Sequence, residues 1–149
     1  MATDRLINST QGDSIINALN TIAESANATN LLEISSAVVA RSGYTKSSAT
    51  HLFKQGQHVF GTIVFSKDSN NFLNSEGDII ADIDVQYAPG YTWYGISGFG
   101  TDIDTIKSCG HAFIQASTAI TDAPGKILVT DTLTTNSWVR IQVNYVISN

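Results

Sequence analysis

The sequence predicts a mainly β protein, an antiparallel, jelly-roll-like β-sandwich preceded by a short N-terminal α-helix that forms a trimeric bundle. Three observations predict it. A heptad-like seam is confined to the first thirty residues. The remainder contains short runs that mostly alternate apolar with polar residues. Between those runs lie clusters of Asn, Asp, Ser and Gly suited to turns. The 149 residues are the length of one core, 42% are hydrophobic and only 14% are charged, so a second globular domain is unnecessary. The division expected is 1–30 for the helix and 31–149 for the sandwich.

The helical signal runs from about Thr10 to Asn27, where Ile15, Leu19, Ile22 and Ala26 recur at spacings of four, three and four. Ser9, Thr10 or Asp13 is suited to cap its start, and Asn27 or Asn30 to end it. With Leu19 and Ala26 at a positions and Ile15 and Ile22 at d positions, the pattern favours more than two strands in a bundle. The alternative at this stage is an amphipathic helix docked on its own domain, because two heptads are fewer than a coiled coil usually shows.

After Asn30 the period changes. Ala37–Val39, Val59–Phe65, Ile79–Val85, Ala112–Gln115, Lys126–Val129 and Trp138–Val146 read as strands. Lys67–Asn71, Asn74–Asp78 and Asp122–Gly125 read as turns between them. Regularly spaced short strands joined by polar turns indicate an antiparallel sandwich or barrel.

Charge and composition exclude several functions. The net charge is −5, and residues 61–149 hold nine acidic and four basic groups against four of each in residues 1–60. No window clusters Lys and Arg as phosphate neutralisation requires, so nucleic acid is not an expected partner. The opening Met-Ala-Thr-Asp-Arg lacks the basic and apolar regions of a signal peptide, and no run approaches the ~18 apolar residues of a membrane span. No membrane partner is expected, and the two Asn-x-Ser/Thr matches at Asn8 and Asn27 carry no glycosylation signal without secretion. Cys109 is the single cysteine, which rules out an intrachain disulfide and a cysteine zinc site. It reads as a small buried hydrophobe.

Catalytic signatures are missing. Gly95-Ile96-Ser97-Gly98-Phe99-Gly100 is not Gly-x-Ser-x-Gly, and Ile103 stands where a dinucleotide fingerprint needs its third glycine. His51, His58 and His111 have no metalloprotease spacing. Asp82/Asp84 and Asp102/Asp104 have the i, i+2 spacing that places two carboxylates on one strand face, suited to calcium or glycosidic chemistry. Their simpler reading is a solvated strand face and a polar loop. No catalytic residues, metal or cofactor are therefore expected.

Tyr91-Thr92-Trp93-Tyr94 follows a Pro89-Gly90 turn and gathers three of the seven Tyr and Trp residues. Flat rings at the end of a sandwich suit the apolar faces of sugars, so Tyr91, Trp93 and Tyr94 form a candidate carbohydrate site. The competing reading has Trp93 begin a strand and plug the core, with Tyr91 and Tyr94 at a contact between protomers.

The stretch from Arg5-Leu6-Ile7-Asn8-Ser9-Thr10 to Asn17-Ala18-Leu19-Asn20-Thr21-Ile22-Ala23 resembles the N-terminal segment of small accessory virion proteins of phages that infect Gram-positive bacteria, of head-fibre and baseplate type. Ile80-Ala81-Asp82-Ile83-Asp84-Val85-Gln86-Tyr87-Ala88-Pro89 and the closing Trp138-Val139-Arg140-Ile141-Gln142-Val143-Asn144-Tyr145-Val146-Ile147 are similar to terminal β-sandwich modules of phage fibres and receptor-binding proteins. The resemblance implies a virion protein without enzymatic activity, a homotrimer attached through its helices to capsid, portal, collar or baseplate proteins. Its first expected role is a head fibre or capsid decoration. The alternative is a tail or baseplate adhesin that recognises host cell-surface polysaccharide, and a carbohydrate-active enzyme built on the acidic pairs ranks third.

Overall fold

The structure, a computed structural model, describes residues 9–67, 78–116, 125–130 and 136–147. The chain divides into two compact units, Met1–Asn30 and Leu31–Asn149. In the first, α1 spans Ser9–Thr29, slightly longer than the seam alone indicates. Ile15, Leu19 and Ile22 of the seam are 49%, 59% and 64% exposed, and Ile16 beside them is exposed as well. The side chain of Ala26 lies outside the described residues. Among the described residues no helix is long and apolar enough to cross a membrane.

Among its described residues the second unit is mainly antiparallel β. Its strands are β1 (Leu31–Glu33), β2 (Val38–Ala40), β3 (Tyr44–Lys46), β4 (His51–Gln55), β5 (His58–Lys67), β6 (Asp78–Ile83), β7 (Trp93–Gly100), β8 (Ser108–Ile114), β9 (Lys126–Thr130) and β10 (Trp138–Val146). They form one ten-stranded sheet in the order β1-β4-β5-β10-β7-β8-β9-β6-β2, with β3 also on β5. The layers expected of a sandwich are thus two parts of a single curled sheet. Its inner face encloses one core, to which β5 gives Val59, Ile63 and Phe65, β10 gives Val139, Ile141, Val143 and Tyr145, and β6 gives Ile80, Ala81 and Ile83.

The curl brings β2, at one end of the strand order, back to β3. There Lys46 Nζ donates to the carbonyls of Ser35 (2.8 Å) and Val38 (2.7 Å). The free edge of β5 is served twice, by β4 over residues 58–62 and by β3 over residues 65–67. Between them Val64 is left over. Its N–H donates to the buried Thr50 hydroxyl and its carbonyl accepts from the same hydroxyl, both at 3.0 Å. The Ser47 N–H also donates to that carbonyl at 2.9 Å, so neither backbone group of Val64 is left unpaired in the interior.

Four strands were not anticipated: β1, β3, β4 and β7. The glycines of β7 hide it, and packing accounts for two of them. A Cβ at Gly98 would lie 2.8 Å from Ile106 Cδ1, and one at Gly100 would collide with the carbonyl of Thr105. Glycine therefore lets the 101–107 loop lie flat on the strand. The expected strand through Val85 ends early, because Asp84 Oδ1 accepts from the Gln86 N–H and caps a 3₁₀ turn, Val85–Tyr87. Most of the turns expected at 67–71, 74–78 and 122–125 lies outside the described residues.

The start of β6 and the end of β5 are tied by an ion pair. Lys67 Nζ lies 2.8 Å from Asp78 Oδ2, with both side chains largely buried, and the Lys67 ammonium sits 5.5 Å from the centre of the Tyr44 ring. Burial, with Asp78 nearby, pushes the Tyr44 phenol well above its ordinary pKa. Removing one member of a buried pair leaves the other charge uncompensated. Asp78→Leu should therefore cost about 3–5 kcal/mol and lower Tm by on the order of 10 °C. The double variant Lys67→Met/Asp78→Leu should recover most of that loss in a thermal melt.

Candidate functional site

The chain reaches the β unit at Leu31, which pairs with Gln55, and Gln55 pairs with His58. His58 pairs with Val146 of β10, the N–H of Ile147 donates to the Gln57 carbonyl, and Pro89 bridges Ile147. These contacts gather Leu31, Ile147 and the Pro89–Tyr91 turn at one end of the β unit, called here the proximal end. The far end holds Ser66 opposite Trp138, Trp138 opposite Gly100, and the loop Thr101–Lys107.

The candidate carbohydrate residues all lie at the proximal end, but their rings do not share a face. Trp93 opens β7 and packs inward against the core. Its ring covers Gly95, where any Cβ would collide with it, and stands 6.4 Å from the Tyr145 ring at 51°. The Tyr145 hydroxyl donates to the Tyr87 carbonyl at 2.6 Å, and burial raises its pKa well above the ordinary phenol value. Trp93, Tyr145 and Tyr87 therefore close that end of the core. Tyr94 points the other way, 69% exposed, with its ring edge-on to Phe113 at 5.1 Å. Tyr91 stands alone on the turn, 90% exposed.

Strand register extends the Tyr94 position into a row that the sequence did not disclose. Tyr94 pairs with Phe113, Phe113 with Leu128, and Leu128 with Ile79, across β7, β8, β9 and β6. Beside it Ile96, 70% exposed, pairs with His111. Cys109 opens onto the same outer surface. Its expected burial is incorrect, because strand alternation sends Gly110 and Ala112 inward and leaves Cys109 and His111 exposed. A period-two signal of Tyr94 and Ile96 was present, but the glycines between and after them obscured it.

The acidic pairs serve the backbone and an ion pair. Arg41 Nε and Nη2 each donate to the Asp82 carboxylate at 2.7 Å, while Asp84 lies past the end of β6 as a cap. Asp102 Oδ1 accepts from the N–H groups of Asp104 (3.0 Å) and Thr105 (2.8 Å). Hydrogen bonds from Thr105 lead in holding its pKa below the usual carboxylate range. The histidines do not converge either. His51 and His58 lie on β4 and β5, His111 lies on β8, and β10 and β7 intervene. His51 Nδ1 lies 3.3 Å from Glu33, whose pKa is lowered by the Ser35 hydroxyl and then by His51. Among the described residues no group of three His, Cys, Asp or Glu side chains is placed to hold a metal ion.

No protein-family model and no curated protein matches the chain. Among solved structures, the receptor binding protein of Listeria phage PSA is similar over 99% of this chain and 83% of that one, with a TM-score of 0.51 and 12% identity. The two share a fold. The likeness spans nearly the whole chain, with the helix as well as the curled sheet.

The packing of Trp93 on Gly95 makes a specific demand. In a Trp138→Phe background, Gly95→Ala should displace the Trp93 ring toward solvent and shift its fluorescence emission to the red. The accompanying loss should be about 1–3 kcal/mol, as for other overpacked sites.

Proposed function

We propose that this chain is a phage virion protein that assembles as a homotrimer through α1 and presents its β unit for attachment to the host cell surface. The observation that carries this reading is the fold shared with a phage receptor binding protein over 99% of the chain. The exposed Ile15, Leu19 and Ile22 support the assembly step. An isolated helix of this length is only marginally stable in water, and burying an apolar seam against copies of itself supplies what propensity does not.

Trp93 packs inward while Tyr91 and Tyr94 are exposed on different faces, which favours packing over one shared sugar site at the proximal end. At the far end the Thr101–Lys107 loop exposes Asp104, Thr105 and Lys107. These polar groups suit a polyhydroxylated ligand such as cell-wall polysaccharide, which carries many donors and acceptors and little charge.

Light scattering on the purified protein should give about three times its 16.0 kDa mass. Leu19→Asp should break the assembly, because it would bury an unpaired charge in the seam at a cost of several kcal/mol. A monomer at micromolar concentration for the unaltered chain would end the trimer reading.

For attachment, the labelled trimer should bind host cell walls. Asp104→Ala/Lys107→Ala should abolish that binding at unchanged Tm and mass, whereas Tyr91→Ala should leave it intact. An antibody against the chain should label the tail of intact particles. Labelling confined to the head, with no wall binding, would replace attachment by capsid decoration.

A further inference from the structure

The outer face of the sheet carries a charged side chain that is partly withdrawn from solvent with no acid bound to it. Arg140 stands on β10 between Val64 of β5 and Gly98 of β7 in the register, and no ion pair among the described residues includes it. Its Nη2 donates instead to the Ile103 carbonyl of the Thr101–Lys107 loop at 2.9 Å, while its Nε is buried with no hydrogen-bond partner among the described residues. Val64 beside it is 1% exposed, although it lies outside the main core cluster. Val64, Trp138 and Arg140 line a common cavity with Ile103 and Ile106 of the loop. Loop and strands thus form a second, small packing cluster on the outer face.

The two ends of the loop and its middle are held differently. At the ends, the Lys107 N–H donates to the Phe99 carbonyl (2.7 Å), the Ser137 N–H to the Gly100 carbonyl (3.0 Å) and the Ser137 hydroxyl to the Thr101 carbonyl (3.3 Å). In the middle, the Asp102 carboxylate accepts from the N–H groups of Asp104 and Thr105, which shapes the turn without tying it to a strand. Among the described residues, the polar tie from that middle to the strands beneath is the bond from Arg140 to Ile103. A charged donor makes it stronger than a neutral hydrogen bond. Asp104 and Thr105, which the attachment reading uses, follow Ile103 directly in the chain.

We propose that Arg140 is the positioning residue of the attachment loop, holding Ile103 down so that Asp104, Thr105 and Lys107 keep the arrangement a ligand meets. The inference rests on the reading in which this loop recognises the cell wall. A loop already held in its binding arrangement loses less freedom on contact, and one that leaves it binds more weakly in proportion to the time spent away.

Arg140→Met keeps an unbranched stem and removes the donor, whereas Arg140→Lys keeps a charged donor. Both are made in the full-length protein in a Trp93→Phe background, where Trp138 is the one remaining tryptophan. In the Arg140→Met variant, with circular dichroism unchanged, acrylamide should quench Trp138 about twofold or more efficiently as the loop opens locally. Its binding to purified host cell walls should fall about tenfold as the competent arrangement is depopulated. The Arg140→Lys variant should stay near the unaltered protein on both readouts. No change in either readout overturns the inference, as does lost wall binding without a change at Trp138, a loosened loop with wall binding unchanged, or an Arg140→Lys variant as impaired as Arg140→Met. Failure of the unaltered protein to bind walls overturns the attachment reading instead, and quenching of Trp138 then decides by itself whether Arg140 seats the loop.

Discussion

Much of the β unit depends on the ladder between β5 and β10, which pairs Trp138–Val146 with Ser66–His58 without interruption. It joins segments some eighty residues apart in sequence, so closing it fixes the largest loop in the unit at once. Alternation along β10 puts Val139, Ile141, Val143 and Tyr145 in the core, and each side chain so buried contributes about 1.5–3 kcal/mol. The other edge of β10 then templates β7, and through β7 the strands β8, β9, β6 and β2. A slip of one residue in this register would turn every one of those side chains outward.

That dependence explains what was legible in the sequence. β9 and β10 could be read because alternation along them is regular and unbroken by glycine, and β5 because its long apolar run shows on both sides of Gly61. The β1, β3 and β4 strands are short and owe their form to β5 and to each other, which no local pattern records. The position of Cys109 was misjudged for a related reason, since a residue type says little about facing until the register is known. The Tyr91–Tyr94 segment was visible as an aromatic concentration. Its division into an inward Trp93, an outward Tyr94 and a solvated Tyr91 follows only from where β7 begins.

The charged residues follow a comparable logic. Asp82, Asp84 and Asp102 have the spacing of ligand-binding acids, yet each is occupied by a guanidinium or by backbone N–H groups. Such bonds satisfy donors that turns and strand ends would otherwise leave to water. The Lys67–Asp78 pair differs because it is largely withdrawn from solvent, joining the end of β5 to the start of β6. Among the described residues these carboxylates chiefly position backbone or hold an ion pair.

The close seating of the 101–107 loop on Gly98 and Gly100 separates two kinds of inheritance within a few residues. The path of the loop is set by glycines that admit no side chain and by the Asp102 carboxylate that organises its turn. Asp104, Thr105 and Lys107 project from that path into solvent. Evolution can therefore exchange the exposed side chains, one at a time, without moving the strand beneath or the core under it. Variation in this loop is thereby uncoupled from the stability of the sheet that carries it.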